Sequence, residues 1–252
     1  MSAEDADIAV DPMSEVRPFF FVHIMKTGGA SFRDHVYANF HPGEVYPVPD
    51  ADDMDRAWLV EYLLGLPPER HAVTRAYLGH FPFVASELLR RDPVTLTLVR
   101  DPIARTISYL KHCKRYHEQH RGLSLDEIYR DEFHFPCFIH NHQTKIFSMT
   151  TDDKLESYMD VIDVDDQRLE IAKENVEKVD VLGLHERYDE FLEELQQRFG
   201  WRFDRVRKRR VGREQWDVSP ALRRSIAEDN AADVAFYEHA KRVHERRRQV
   251  VW

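Results

Sequence analysis

Apolar residues along this chain fall into two patterns. Short unbroken runs, clearest at residues 19–24 (FFFVHI) and 94–99 (VTLTLV), read as strands buried on both faces. Residues 73–78 and 181–184 read as two more. Between the runs, apolar positions recur every three or four residues. Helices are predicted over 30–39, 56–64, 86–90, 102–117, 125–130, 135–147, 168–179, 188–199 and 220–246. Pro102, just past a strand, suits the first position of a helix, and Gly200 suits a helix end. Residues 40–55 hold Pro42, Pro47 and Pro49 and read as a polar loop, while 152–166 are acidic and carry little pattern. Strands alternating with helices predict an α/β fold, a parallel sheet with helices on both faces. With no repeat and no linker, one domain over 18–252 is expected after a loose acidic lead-in over 1–17.

Composition narrows the functional classes. The chain has 252 residues, 42% of them hydrophobic, enough for a substantial core. A net charge of −9 argues against a surface that attracts nucleic acid or acidic membrane as a whole. Cys113 and Cys137 are too few for a disulfide framework. The opening MSAEDADIAVDPMSEV is acidic and lacks the basic start and apolar run of a signal peptide. The apolar run near residue 20 is too short to span a bilayer. A soluble, cytoplasmic protein is expected, with no nucleic-acid partner and no stable membrane insertion.

Two stretches carry chemistry. In the first, HIMKTGGAS (23–31) follows a strand and opens a helix. Unpaired N–H groups at a helix start, glycines that let the chain curl, Lys26 and the hydroxyls of Thr27 and Ser31 together make a phosphate cradle. It is not a Walker A loop, since that pattern sets its lysine after a GxxxxG spacer. The plainer alternative is a strand–helix turn with Lys26 in solvent. In the second, LVRDPIARTISY (98–109), Arg100 stands at the carboxyl end of a strand, the edge where open parallel sheets bind ligands. Asp101 can cap the next helix, and Ser108 lies two turns along it. An arginine fork and a serine hydroxyl suit a second, separate phosphate, or else Arg100 and Asp101 only tie helix to sheet.

KTGG after one strand and RDPxxRxxSY after a later one resemble the two cofactor signatures of the sulfotransferases that use 3′-phosphoadenosine 5′-phosphosulfate, PAPS. The first is similar to the HIPKTGGTS-like loop of the carbohydrate branch that includes heparan sulfate 2-O-sulfotransferase. Here Met25 replaces the proline and Ala30 the threonine, with loss of a hydroxyl. More weakly, GLHERY (183–188) looks like the family's GLTERF segment and 230–237 like its terminal helix, so the resemblance spans about residues 18–240.

The resemblance implies a P-loop-like three-layer α/β/α fold, PAPS as donor, adenosine 3′,5′-bisphosphate (PAP) as product, and no metal. It implies that Lys26, Thr27, Gly28, Gly29, Ala30 and Ser31 hold the 5′-phosphosulfate and that Arg100 and Ser108 hold the 3′-phosphate. Sulfuryl transfer asks for in-line positioning and for charge stabilisation at the leaving oxygen, a role for Lys26. The acceptor hydroxyl needs a base. His80, after the predicted strand at 73–78 and Gly79, aligns with the branch's glycine–histidine pair, whose histidine is that base; His23 is its rival.

The basic run RFDRVRKRRVGR (202–213) reads as a nucleic-acid patch, as a solvated face or, by the family resemblance, as a loop over the adenine and 3′-phosphate through Lys208, Arg209 and Arg210. Lys111, Arg115 and His142 are expected to face a polar or anionic acceptor. His112, Cys113, His117, His120, His134, Cys137, His140 and His142 crowd one region, and Cys137 and His140 have zinc-like spacing, but no paired CxxC is present and the intervening spacings fit no standard zinc site, so no metal is expected. The leading reading is a sulfotransferase acting on a hydroxyl acceptor. A carbohydrate, a lipid head group, a small alcohol and a peptide tyrosine all stay open as that acceptor. The rivals are a P-loop-like ATP-dependent kinase and a non-catalytic polyanion-binding protein.

Overall fold

The computed structural model describes residues 16–48, 58–203 and 216–251. Five strands, β1 (Phe19–Val22), β2 (Val45–Tyr46), β3 (Ala76–Tyr77), β4 (Val94–Val99) and β5 (Val181–Leu184), form one sheet in the order β2-β3-β1-β4-β5. Every pairing is parallel. The register sets Phe19 opposite Val94 and Val22 opposite Thr97, and carries Val99 level with Leu184. The residues that follow β1, β4 and β5 therefore leave the sheet side by side at its carboxyl edge. The chain runs from β1 to β2 and β3 on one side, then crosses to β4 on the other. The crevice between β1 and β4 is the topological switch point, where open α/β sheets take their ligands.

Alternate residues of each strand feed two separate cores, as the period-2 geometry requires. Phe20, Val22, Val99, Leu182 and Leu184 join one, against helices α4 (Phe83–Leu88), α5 (Pro102–Tyr116), α7 (His142–Ser148), α8 (Asp166–Lys178), α10 (Pro220–Asp229) and α11 (Ala231–Val251). Phe21, Leu96, Leu98 and Val181 join the other, against α1 (Gly29–Asn39) and α9 (Tyr188–Phe199). The result is the expected three-layer α/β/α sandwich. Short helices α2 (Val60–Leu64), α3 (Pro68–Val73) and α6 (Leu125–Tyr129) complete it. Among the described residues, no helix is long and apolar enough to cross a membrane.

The departures from the sequence reading are local. β2 falls inside the stretch read as a polar loop; it is two buried residues between prolines, too short to give a pattern. The run at 73–78 shrinks to Ala76–Tyr77 because Val73 closes α3, whose end is held by the Thr74 hydroxyl on the Arg70 carbonyl. The helix expected over 135–147 breaks into a π-turn (Phe135–Ile139) and α7, and the helix expected over 220–246 breaks into α10 and α11. Both breaks belong to one buried network. Asn141, left-handed at φ 46°, donates its N–H to Asn230 Oδ1, and its own Oδ1 accepts from the Asp233 N–H. Asp233, 1% exposed, accepts from the Gln143 and Thr144 N–H groups and from the Thr144 hydroxyl.

Removing this carboxylate strands three donors inside the protein. Asp233→Ala is expected to cost about 3 kcal/mol or more in urea unfolding. A loss within about 0.5 kcal/mol, the range of an indifferent surface change, would contradict the assignment.

Candidate active site

After β1 the chain turns through His23, Ile24, Met25, Lys26, Thr27 and Gly28 before α1 begins at Gly29. Two residues of the turn are left-handed, Lys26 at φ 69° and Gly28 at φ 108°. The second is close to glycine-only territory. Gly29 is demanded by space: a Cβ there would lie 1.9 Å from His23 Nε2. The loop is braced throughout. The Thr27 hydroxyl, fully buried, donates to the Ile24 carbonyl at 2.9 Å. Arg105, 0% exposed, reaches from α5 to donate Nε to the Met25 carbonyl at 3.2 Å and Nη2 to the Phe138 carbonyl. Arg100 donates Nη1 to the Lys26 carbonyl at 3.0 Å. His185, just past β5, donates Nδ1 to the Thr27 carbonyl at 3.1 Å.

Arg100 is itself clamped. Gln143 accepts the Arg100 N–H at 3.1 Å and donates back to its carbonyl at 2.8 Å. The nearby acids are spent elsewhere: Asp101 caps α5 through the Ala104 N–H, and Glu186 takes the Asp101 N–H and the Tyr237 hydroxyl. Among the described residues, neither Arg100 nor Lys26 has a carboxylate within ion-pair distance, and Arg100 Nε is buried without a partner. Burial, and then the charge of Arg100, hold the Lys26 ammonium below the ordinary lysine range. Half-buried cations with no carboxylate in direct contact raise the local potential and favour an anion in the crevice.

His80 follows β3 at the same edge and stacks on His23, with ring centroids 3.9 Å apart and planes at 22°. Its Nδ1 lies 2.9 Å from the His23 carbonyl oxygen. That oxygen can only accept, so Nδ1 carries the proton and Nε2 keeps its lone pair. Trp58 and Tyr158 flank the ring, at centroid distances of 5.0 and 4.9 Å. Burial lowers the His80 pKa to about 4; the bond to the His23 carbonyl works against this and the charge of Arg33 adds to it. His23 is held well below its ordinary value by burial and then by His80.

Most other expected residues sit on α1 and α5, the helices that follow β1 and β4. Ser31 is half-buried and Ala30 exposed on the first turn of α1, and Ser108 is half-buried on α5. Lys111 and Arg115 are half-buried one turn apart on α5, with the Arg115 guanidinium 5.3 Å from the Trp216 ring. Two expectations are corrected. The Thr27 hydroxyl is fully buried and donates to the Ile24 carbonyl, because a turn this tight needs an internal brace, so the hydroxyl is not offered to a ligand and only the backbone of Thr27 is. His142 is 1% exposed and inside the protein, since it starts α7 where the Asn141 turn drives the chain inward. Lys208, Arg209 and Arg210 lie outside the described residues. Arg105, Gln143 and His185 were given no role by the sequence reading. The RDPxxR spacing could have flagged Arg105; the neutral amide of Gln143 gave no signal.

The chain matches no protein-family model and no curated protein.

The His80 shift fixes a pH window. Above about pH 6.5, the ordinary histidine value, folded and unfolded chains both hold a neutral ring and its contribution is complete. As pH falls towards about 4 the unfolded chain takes up a proton that the native ring refuses, and stability drops. The His80 imidazole NMR signals are expected to stay in the neutral, Nδ1-protonated form down to about pH 4. A midpoint near 6.5 would contradict the burial argument.

Proposed function

We propose that this protein is a sulfotransferase that moves a sulfuryl group from PAPS to a hydroxyl acceptor. The observation that carries the reading is the meeting of Lys26 and Arg100, from the ends of β1 and β4, with no carboxylate paired to either among the described residues. Such a crevice calls for a ligand with anionic groups at two points, which PAPS offers. The Lys26–Ser31 loop holds the 5′-phosphosulfate through backbone N–H groups and the lysine. Arg100 and Ser108 take the 3′-phosphate.

The chemistry then follows from side chains already oriented. Lys26 stabilises charge on the bridging oxygen as it leaves. His80, with Nε2 unprotonated, accepts the proton of the acceptor hydroxyl. Its low resting pKa keeps it a free base at neutral pH, and the negative charge of a bound donor raises its basicity toward the working range. Lys111 and Arg115 give the acceptor side a cationic wall that favours a polar or anionic acceptor, a carbohydrate among them.

Calorimetric titration with PAP, run beside ATP plus magnesium, tests the donor. PAP is expected to bind, and Lys26→Ala to weaken it at least about tenfold, equivalent to ~1.4 kcal/mol. His80→Asn is expected to keep PAP binding while lowering sulfuryl transfer by about 10²- to 10⁴-fold. Binding of ATP with no response to PAP would replace this reading with a kinase.

A further inference from the structure

The far end of α5 carries a second cluster that the transfer chemistry does not use. Cys113 lies on the last turn of α5, His117 is its C-cap, and His120 closes the short 3-10 turn Glu118–His120. Their donor atoms all lie within 4.8 Å of one another. A tetrahedral zinc with one sulfur and two or three nitrogen ligands sets its donors about 3.3–3.5 Å apart, given bond lengths of ~2.3 and ~2.0 Å. Side-chain rotations of about an ångström close the difference. The i, i+4 spacing of Cys113 and His117 brings thiol and ring to the same side of the helix end.

A second, independent feature points to a cation. His120 is 3% exposed, and its Nδ1 is buried without any partner. Its other nitrogen, Nε2, faces Asp131 Oδ2 at 4.0 Å. One ring nitrogen free and the other turned to a carboxylate is the arrangement of a metal-bound imidazole. His134 supplies a fourth donor: its Nδ1 lies 3.9 Å from Cys113 Sγ, and its ring centroid lies 4.7 Å from that of His120 and 5.8 Å from that of His117. That nitrogen is hydrogen-bonded to the Tyr109 hydroxyl, a partner it would exchange for an ion. We propose that Cys113, His117 and His120, with His134 in the fourth position, form a zinc site that pins the carboxyl end of α5 to the segment after it.

The cluster differs from the one that sequence spacing would pick. The pair with zinc-like spacing, Cys137 and His140, is not what assembles: His140 stacks on Phe135 and bonds to Asn141. The ligands come instead from a helix end and the turn beyond it.

The test uses the full chain, stripped with a chelator, kept reduced, and titrated with Co²⁺ alone. One equivalent is expected to give a thiolate-to-cobalt charge-transfer band with tetrahedral visible bands, and one equivalent of Zn²⁺ to abolish both. Cys113→Ser is expected to remove the charge-transfer band, and Cys137→Ser to leave it. Asp131→Asn, which keeps the oxygen that caps the Phe133 and His134 N–H groups, is expected to weaken Zn²⁺ binding about tenfold or more. No charge-transfer band in the wild-type protein, or a band that survives Cys113→Ser and vanishes in Cys137→Ser, would overturn the site. The wild-type protein must itself show the band, so the site can fail this test whether or not any variant folds.

Discussion

The arrangement of the crevice rests on one buried carboxylate. Asp233 is 1% exposed and would be costly to ionise alone, since burial acts against its charge. Three donated hydrogen bonds and the nearby Arg105 offset part of that cost, and the carboxyl stays above its ordinary pKa. In return, the first turn of α7 is fixed relative to α11. Gln143 stands on that turn and holds Arg100 by both its backbone groups. A constraint inside one core thus reaches the carboxyl edge of the sheet through a single amide side chain. The two helix breaks, at Asn141 and Asn230, are part of the same device.

What is held in this way is a set of cations, of which Lys26 and Arg100 have no carboxylate within ion-pair distance among the described residues. Lys26, Arg100 and Arg105 lie close enough for both arginines to depress the lysine, and the carboxylates nearest to Arg100 are occupied with capping duties. Keeping such charges partly buried costs stability, by several kcal/mol per ion when fully desolvated. A fold that does so around a strand–turn–helix is pre-organised for an anion, because the reorganisation is complete before the ligand arrives. The neutral, tautomer-fixed His80 stands at the same carboxyl edge, against His23.

How far this was legible in the sequence depends on the kind of interaction. The long apolar runs at β1 and β4 announced a central parallel sheet, since strands buried on both faces cannot hide their composition. The cradle was legible because positive φ and close approach force glycine at Gly28 and Gly29, which leaves a mark in one sequence. His80 was legible from its place after β3. The braces were not. Gln143 is an ordinary amide whose role depends on a register between α7 and β4 that no local pattern encodes. Thr27 looked like a ligand donor, and only the turn's own need for a bond shows where its hydroxyl goes. His142 looked exposed because the left-handed Asn141 that turns it inward is invisible to a helical period.

The crevice between β1 and β4, if it takes two separated anions as proposed, with one of them on Arg100, must distinguish nucleotides by their second phosphate. The most direct measurement is to compare binding of adenosine 3′,5′-bisphosphate with that of adenosine 5′-monophosphate, in the wild-type protein and in Arg100→Ala. The wild type is expected to prefer the bisphosphate by at least about tenfold, the value of one charge-assisted contact, and Arg100→Ala to lose most of that preference. Equal affinity for the two nucleotides in the wild type, or a preference untouched by Arg100→Ala, would contradict the two-anion crevice.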